Sequence, residues 1–289
     1  MINKIVVFLL ITVFLVSCNK FTEDSGVPSF IHIDKIKLNA GVGEGTDSAY
    51  IADAWIYIDD DFIGAYELPA TFPILKTGAR KLIVKPGIIL NGISATRTIN
   101  PFFEDISLNV NLVADSVLHF STLTTSYIPE ANFPWNAVGQ EDFEQGGISI
   151  DTLTASSAWI EKSKLDVYEG DFSGYCHLNQ TNDYLMVTCI SDFSLPSSSN
   201  VVILELNCRN TASILEVGLY LNLSGGTVLQ KQHLYINPGD SWKKLYVNFT
   251  DLISQYNSAN SFKIYFSSSL SSDVSEADIF IDNIKLVTY

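Results

Sequence analysis

A chain of 289 residues with 47% hydrophobic and 17% charged side chains is long enough for two ordinary domains and too apolar to be disordered. Its 32 acidic against 17 basic residues, a net charge of −15, exclude a chain-wide nucleic-acid footprint. The same balance disfavours attachment to an anionic membrane by charge.

The N-terminus reads MINKIVVFLLITVFLVSC. Lys4 supplies a positive start, and Ile5 to Val16 is apolar except for Thr12. That run has the length of a signal-peptide core and is too short to span a bilayer. Leu15-Val16-Ser17-Cys18 resembles the lipobox of bacterial lipoproteins. The resemblance implies a signal peptide over residues 1–17, cleavage before Cys18, and acylation of Cys18 by palmitate-like chains. Several acyl chains anchor a protein stably where one does not. Residues 18–29 then form the lipidated cysteine and a polar tether. Glu23 and Asp24 resemble the surface-export signal of lipoproteins in Bacteroidetes-type bacteria. The expected location is therefore the outer membrane, at the cell surface, with the periplasmic face left open.

Beyond the tether, alternation with a period of two dominates. Ile106, Leu108, Val110 and Leu112 alternate with Ser107, Asn109 and Asn111. The same pattern runs through Leu215, Val217, Leu219 and Leu221, and through Phe262, Ile264 and Phe266. Each is a half-buried antiparallel strand. The best helical stretch, Thr250 to Tyr256, makes one or two turns. The fold class that follows is all-β, with two β-sandwich domains.

The predicted domains are residues 30–127, an immunoglobulin-like sandwich, and residues 140–289, a jelly roll. Between them, residues 128–139 carry Pro129 and Pro134 without alternation and read as a linker with some packed aromatics. In the first domain, Ala54–Ile58, an Asp59-Asp60-Asp61 turn and Phe62–Leu68 predict a hairpin, because Asp tolerates left-handed turn positions. With the Gly78-led strand that follows, this stretch resembles PEGA-type surface modules, which implies assembly or spacing without catalysis. The spacing of the three aspartates lacks the pattern of a calcium loop.

In the second domain, Asp142-Phe143-Glu144, Gly170–Tyr175, Ser241–Leu245 and the ending Ile281-Asp282-Asn283-Ile284-Lys285-Leu286 resemble galactose-binding-like jelly rolls of carbohydrate-binding proteins. The resemblance implies that the first and last strands lie side by side. It also implies a structural Ca²⁺ between them as one option. Asp282 shares parity with Phe280, Ile284 and Leu286, so it is expected in the core, where a carboxylate needs partners. Two sets fit: Ca²⁺ with Asp142 and Glu144, completed by carbonyls, or local backbone N–H groups.

Other candidates are few. Cys176 and Cys189 lie on successive strands and form the candidate disulfide, with Cys208 a buried thiol; three buried thiols without a bridge fit equally. Trp159, in a short polar context, is the candidate exposed aromatic for ligand binding, whereas Trp242 is expected in the core. Trp55 and Tyr57 oppose Ile56 and Ile58, so one of the two sets faces outward. His32, His119, His177 and His233 stand in no metal-ligand or catalytic spacing. No nucleophile elbow or Walker loop occurs. The expected activity is non-catalytic. The first expectation is an accessory subunit of an envelope protein complex, such as a membrane β-barrel complex; the alternative is capture of a polysaccharide by the jelly roll.

Overall fold

The computed structural model describes residues 26–196 and 200–289. The signal-peptide segment and Cys18 lie outside them. None of the described helices is long and apolar enough to cross a membrane.

The first half holds β1 (Ser29–Ile33), β2 (Ile36–Leu38), β3 (Asp53–Ile58), β4 (Asp61–Glu67), β5 (Ala70–Ile74), β6 (Gly78–Ile89), β7 (Arg97–Ile99), β8 (Ile106–Leu112), β9 (Val117–Phe120) and β10 (Leu123–Thr125). One sheet has the order β4-β3-β6-β7, with β8 also on β6. Opposite it lie a β5-β1-β9 sheet and a β10-β2 pair. The inward residues Ile31, Ile56, Ile58, Phe72, Leu82 and Val84 share one core. The expected hairpin is β3–β4, and Asp59 and Asp60 take φ of 53° and 68° at its turn. Asp59 pairs with Lys76 and Arg80, so the acidic run is spent on the turn and its cations.

The second half holds β11 (Ile150–Thr152), β12 (Glu161–Ser163), β13 (Ser173–Asn179), β14 (Tyr184–Cys189), β15 (Val202–Asn210), β16 (Leu215–Asn222), β17 (Val228–Ile236), β18 (Gly239–Asn248), α1 (Thr250–Gln255), β19 (Ser261–Ser269) and β20 (Glu276–Thr288). Two five-stranded sheets, β11-β14-β19-β16-β17 and β12-β13-β20-β15-β18, face each other as a jelly roll. Their alternating apolar residues form the larger core. The segment entering this domain pairs with its last strand: Glu141 and Ile284 exchange backbone hydrogen bonds of 2.8 and 2.9 Å. Gly174 on β13 lies under the buried Phe143 ring, 2.3 Å from where a Cβ would reach it, so no larger residue fits.

Cys176, Cys189 and Cys208 are unpaired and buried, so of the two arrangements the sequence allows the one formed is three buried thiols, without the candidate Cys176–Cys189 bridge. Cys176 lies in the β13 sheet and Cys189 in the sheet opposite. Burial pushes Cys176 and Cys208 up to about 12 and Cys189 to about 11, which keeps all three protonated at neutral pH.

The expected linker is packed into both halves. Ala131 and Phe133 lie against the first core, Trp135 is buried in the second, and Asn132 bridges Thr288. Ile203, Tyr246 and Val287 of the jelly roll join the first core. Beside them sits a buried charged network. Glu205 accepts a hydrogen bond from the Tyr127 hydroxyl (3.1 Å) and lies 3.3 Å from the Lys244 ammonium. The Lys285 ammonium donates to Tyr127 Oη (3.2 Å) and to the Thr46 carbonyl (3.1 Å). The Glu205 and Lys244 side chains are 1% and 3% exposed, so neither ion has water to fall back on. Burial lowers both lysines, Lys285 to about 8, while Glu205 opposes that shift in each.

Glu205→Gln leaves the buried Lys244 ammonium without its carboxylate and removes the anion that offsets the burial of Lys285. The expected loss is about 3–5 kcal/mol of stability, read by urea denaturation; an unchanged unfolding midpoint would show that the network is not an energetic link.

Candidate functional site

The outer face of the β12-β13-β20-β15-β18 sheet is divided in two. Its division depends on β20. Between the pairs Glu205↔Lys285 and Asn207↔Asp282, β20 carries one residue more than β15. Asn283 takes the extra place at φ 47°, a conformation Asn tolerates. The bulge reverses parity. Ile279 and Ile281 point into the jelly-roll core, and so do Ile284 and Leu286. Phe280 and Asp282 therefore point outward with Tyr175, not into the core as strand parity predicts.

Asp282 is buried beneath the segment around Tyr168 and Glu169, and it is held by backbone N–H groups. Asn283 N donates to Oδ1 (2.8 Å) and Glu169 N to Oδ2 (3.3 Å). Burial still pushes its carboxyl up to about 7, with the neighbouring Glu169 adding to the shift. The ligand atoms of Asp142, Glu144 and Asp282 do not gather within 4.8 Å of one another. Asp142 Oδ1 accepts from Glu144 N (3.1 Å) and closes its own turn. Glu144 Oε1 accepts from the N–H groups of Asp171 and Phe172, each at 2.8 Å. It crowds Gly170, whose φ of 76° leaves no room for a side chain. Of the two partner sets expected for Asp282, the backbone set is the one formed. The buried carboxylate in the first turn is Glu141, whose side chain binds Phe143 N and Ser149. Sequence reading passed over it, since only the bridge to Ile284 fixes which residue of this segment turns inward.

The uncovered part of the face carries rings and hydrogen-bonding groups in rows. Register places Glu161, Tyr175, Phe280 and Arg209 side by side across four strands. At a strand spacing of ~4.8 Å the row spans roughly 14 Å. Tyr175 stacks on Phe280 at 4.8 Å, and the Arg209 guanidinium lies 4.6 Å over the same ring, which is left only 3% exposed beneath its neighbours. Trp242 extends the row, 6.2 Å from Phe280 and 5.6 Å from Tyr168. Trp242 is thus on the outer face and not in the core, with its Nε1–H donated to Asp166 (2.9 Å). Asp166 also pairs with Arg209 at 2.7 Å.

The next row holds His177 and Asp278. Asp278 Oδ1 accepts from Tyr175 Oη (2.8 Å) and lies 2.9 Å from His177 Nδ1. A donor at Nδ1 leaves Nε2 of His177 free to accept. At the open end Trp159 is 53% exposed, as its polar context predicts, and its Nε1 lies 3.4 Å from Glu161 Oε2. A cavity of about 150 Å³ sits among Trp159, Glu161, Tyr175, His177, Asn179 and Asn182. At the other end, clefts of about 320 and 410 Å³ separate Trp242 and Tyr168 from the first domain. Such a face stacks flat, weakly polar surfaces on its rings and meets hydroxyl groups with its carboxylates and amides.

The fold and site together define an all-β protein of two sandwiches whose jelly roll presents an aromatic, hydrogen-bonding sheet face. No known family profile and no curated protein matches the sequence. Among solved structures the chain is similar to the CBM22-1 xylan-binding domain of Paenibacillus barcinonensis Xyn10C, with 15% identity over 52% of this chain and 92% of that one, at a TM-score of 0.40. It is also similar to a carbohydrate-binding module of the β-sandwich superfamily described for promiscuous specificity, with 11% identity over 82% and 85% of the two chains and a TM-score of 0.38. A third is TmCBM61 in complex with β-1,4-galactotriose, with 14% identity over 52% and 95% and a TM-score of 0.34.

The raised pKa of Asp282 has a signed consequence for stability. The unfolded carboxyl titrates near 3.8 and the folded one near 7. Between these values the native state holds the extra proton, so its contribution falls as pH rises from about 4 to about 7. The expected loss is roughly 2–4 kcal/mol. Asp282→Asn should flatten this part of the profile in denaturation at about pH 5 and about pH 8; equal slopes in both proteins would assign the shift elsewhere.

Proposed function

We propose that this protein is a non-catalytic glycan-binding protein that holds a neutral polysaccharide on the open face of its jelly roll. The observation that carries this reading is the set of accessible rings Trp159, Tyr175 and Trp242, flanked by the carboxylates Glu161 and Asp278 and grouped around the buried Phe280. Pyranose rings present flat C–H faces for stacking and hydroxyls for the flanking acceptors. Asp166, Asp278 and Glu161 line the face, its one arginine is already paired with Asp166, and the chain is acidic, so an uncharged glycan is favoured over an anionic one. Lipid on Cys18 would hold the module at the outer membrane, facing the cell surface, where extracellular polysaccharide is met.

Affinity electrophoresis against xylan, mixed-linkage glucan, galactan and mannan tests this. At least one neutral polymer is expected to retard the full chain, and Trp159→Ala to weaken that binding roughly tenfold or more. Phe62→Ala, on the first domain, should leave it unchanged. No retardation by any neutral polymer, or equal retardation of Trp159→Ala, overturns the assignment.

A second reading, an accessory subunit docked to an envelope protein such as a β-barrel complex, draws on the first domain. There Trp55 and Tyr57 form the outward set and pack on Phe62, itself 53% exposed. Stoichiometric co-purification of one β-barrel protein from native outer membrane, lost in Phe62→Ala, is its expected result; recovery of the lipoprotein alone would sink it.

A further inference from the structure

The first domain brings together three metal-ligating side chains that the glycan face does not use. His32 on β1 and His119 on β9 are direct partners across parallel strands. Their side chains therefore leave the same face at the same level, with ring centroids 4.7 Å apart. Asp34 follows His32 by two residues, just past the end of β1. Its carboxylate spans both rings: Oδ1 lies 2.7 Å from His32 Nε2, and Oδ2 lies 3.1 Å from His119 Nε2. These are the only three His, Cys, Asp or Glu side chains among the described residues whose ligand atoms come within 4.8 Å of one another.

We propose that His32, His119 and Asp34 form a binding site for one divalent transition-metal ion of the zinc class. A carboxylate only accepts, so each imidazole nitrogen facing it must either carry a hydrogen or share a metal ion with it. Two protons meet that need, one on each ring; a single metal ion meets it for both rings at once. Thr71, opposite His32 on β5, adds the outer support. Its Oγ1 lies 2.6 Å from His32 Nδ1; with Nε2 on the ion, the Nδ1–H donates a hydrogen bond to this hydroxyl, which fixes the ring.

The spacing suits the ion. Ligand atoms on a tetrahedron with bonds of ~2.0–2.1 Å stand about 3.3 Å apart; the two nitrogen–oxygen distances, 2.7 and 3.1 Å, lie just below that, and all the ligand atoms lie within 4.8 Å of one another. Two imidazoles with one carboxylate select zinc, cobalt, nickel or copper over calcium and magnesium, which take oxygen ligands. The three side chains are 27%, 55% and 42% exposed, which leaves water for a remaining position. Bound there, the ion ties β9 and the end of β1 together in a three-stranded sheet where β1 is the central strand.

Cobalt(II) added to the untagged full chain tests the site. The expected result is saturable one-to-one uptake with a visible tetrahedral absorption band, displaced by zinc, and a thermal midpoint raised by zinc. His119→Ala removes a half-exposed ligand without touching the core, and it should weaken uptake about tenfold or more. Thr71→Val should weaken it less, and His177→Ala, in the His177–Asp278 pair of the jelly roll, not at all. Absence of saturable uptake by the wild-type chain, or equal uptake by His119→Ala, overturns the proposal.

Discussion

Glu205 at the domain interface is the constraint on which the arrangement rests. It lies on the outer face of a jelly-roll strand against the Lys244 ammonium and the Tyr127 phenol, whose oxygen in turn accepts from Lys285, with almost no solvent. Desolvating these ions is costly, and their mutual attraction offsets that cost only in this geometry. Tyr127 and Thr46 come from the first domain, whereas Lys244, Lys285 and Glu205 come from the second. The Glu205–Lys244 pair is internal to the jelly roll, and docking of the two sandwiches supplies the neutral partners, the Tyr127 hydroxyl and the Thr46 carbonyl, that replace water around Glu205 and Lys285. Ser48 Oγ donating to Asn207 Oδ1, and Tyr50 N donating to Tyr246 Oη, repeat the linkage nearby. The apolar contacts of Ile203, Tyr246 and Val287 supply the burial, and the polar network supplies the fit.

Docking decides what the sheet face can do. One half, from Ile203 to Asn207, is covered by the first domain; the other, around Tyr175 and His177 above the buried Phe280, stays open. The Asn283 bulge lies at the boundary. Without it, β20 would keep one parity throughout, and placing Ile284 and Leu286 in the core would carry Phe280 there as well. The open face would then lose the ring on which Tyr175, Arg209 and Trp242 converge. One extra residue in a strand thus serves both the core and the site.

Three residues that sequence reading marked for chemistry have structural work. Glu144 closes the Gly170 turn, Asp142 caps its own, and Asp282 is held by backbone N–H groups. The cysteines behave as small apolar side chains at neutral pH. Conversely, His32 and His119 look ordinary in the sequence because 87 positions separate them; parallel pairing of their strands, a contact no local pattern encodes, makes them neighbours.

The sequence by itself determined the all-β class, the two-sandwich division, the Asp59-Asp60 hairpin and the exposed position of Trp159. Each follows from local chemistry: alternation every second residue, turn residues that accept positive φ, and a tryptophan among small polar neighbours. Most inward positions, such as Leu215 to Leu221, were legible for the same reason. The tertiary structure alone decided the outward place of Phe280, Asp282 and Trp242, the free state of the thiols, and the covered half of the sheet. A β-bulge shifts parity with no mark stronger than an Asn, and a domain interface pairs residues 78 to 239 positions apart, as in Tyr127 with Glu205 and Thr46 with Lys285. Both depend on which strands meet, and strand pairing is long-range.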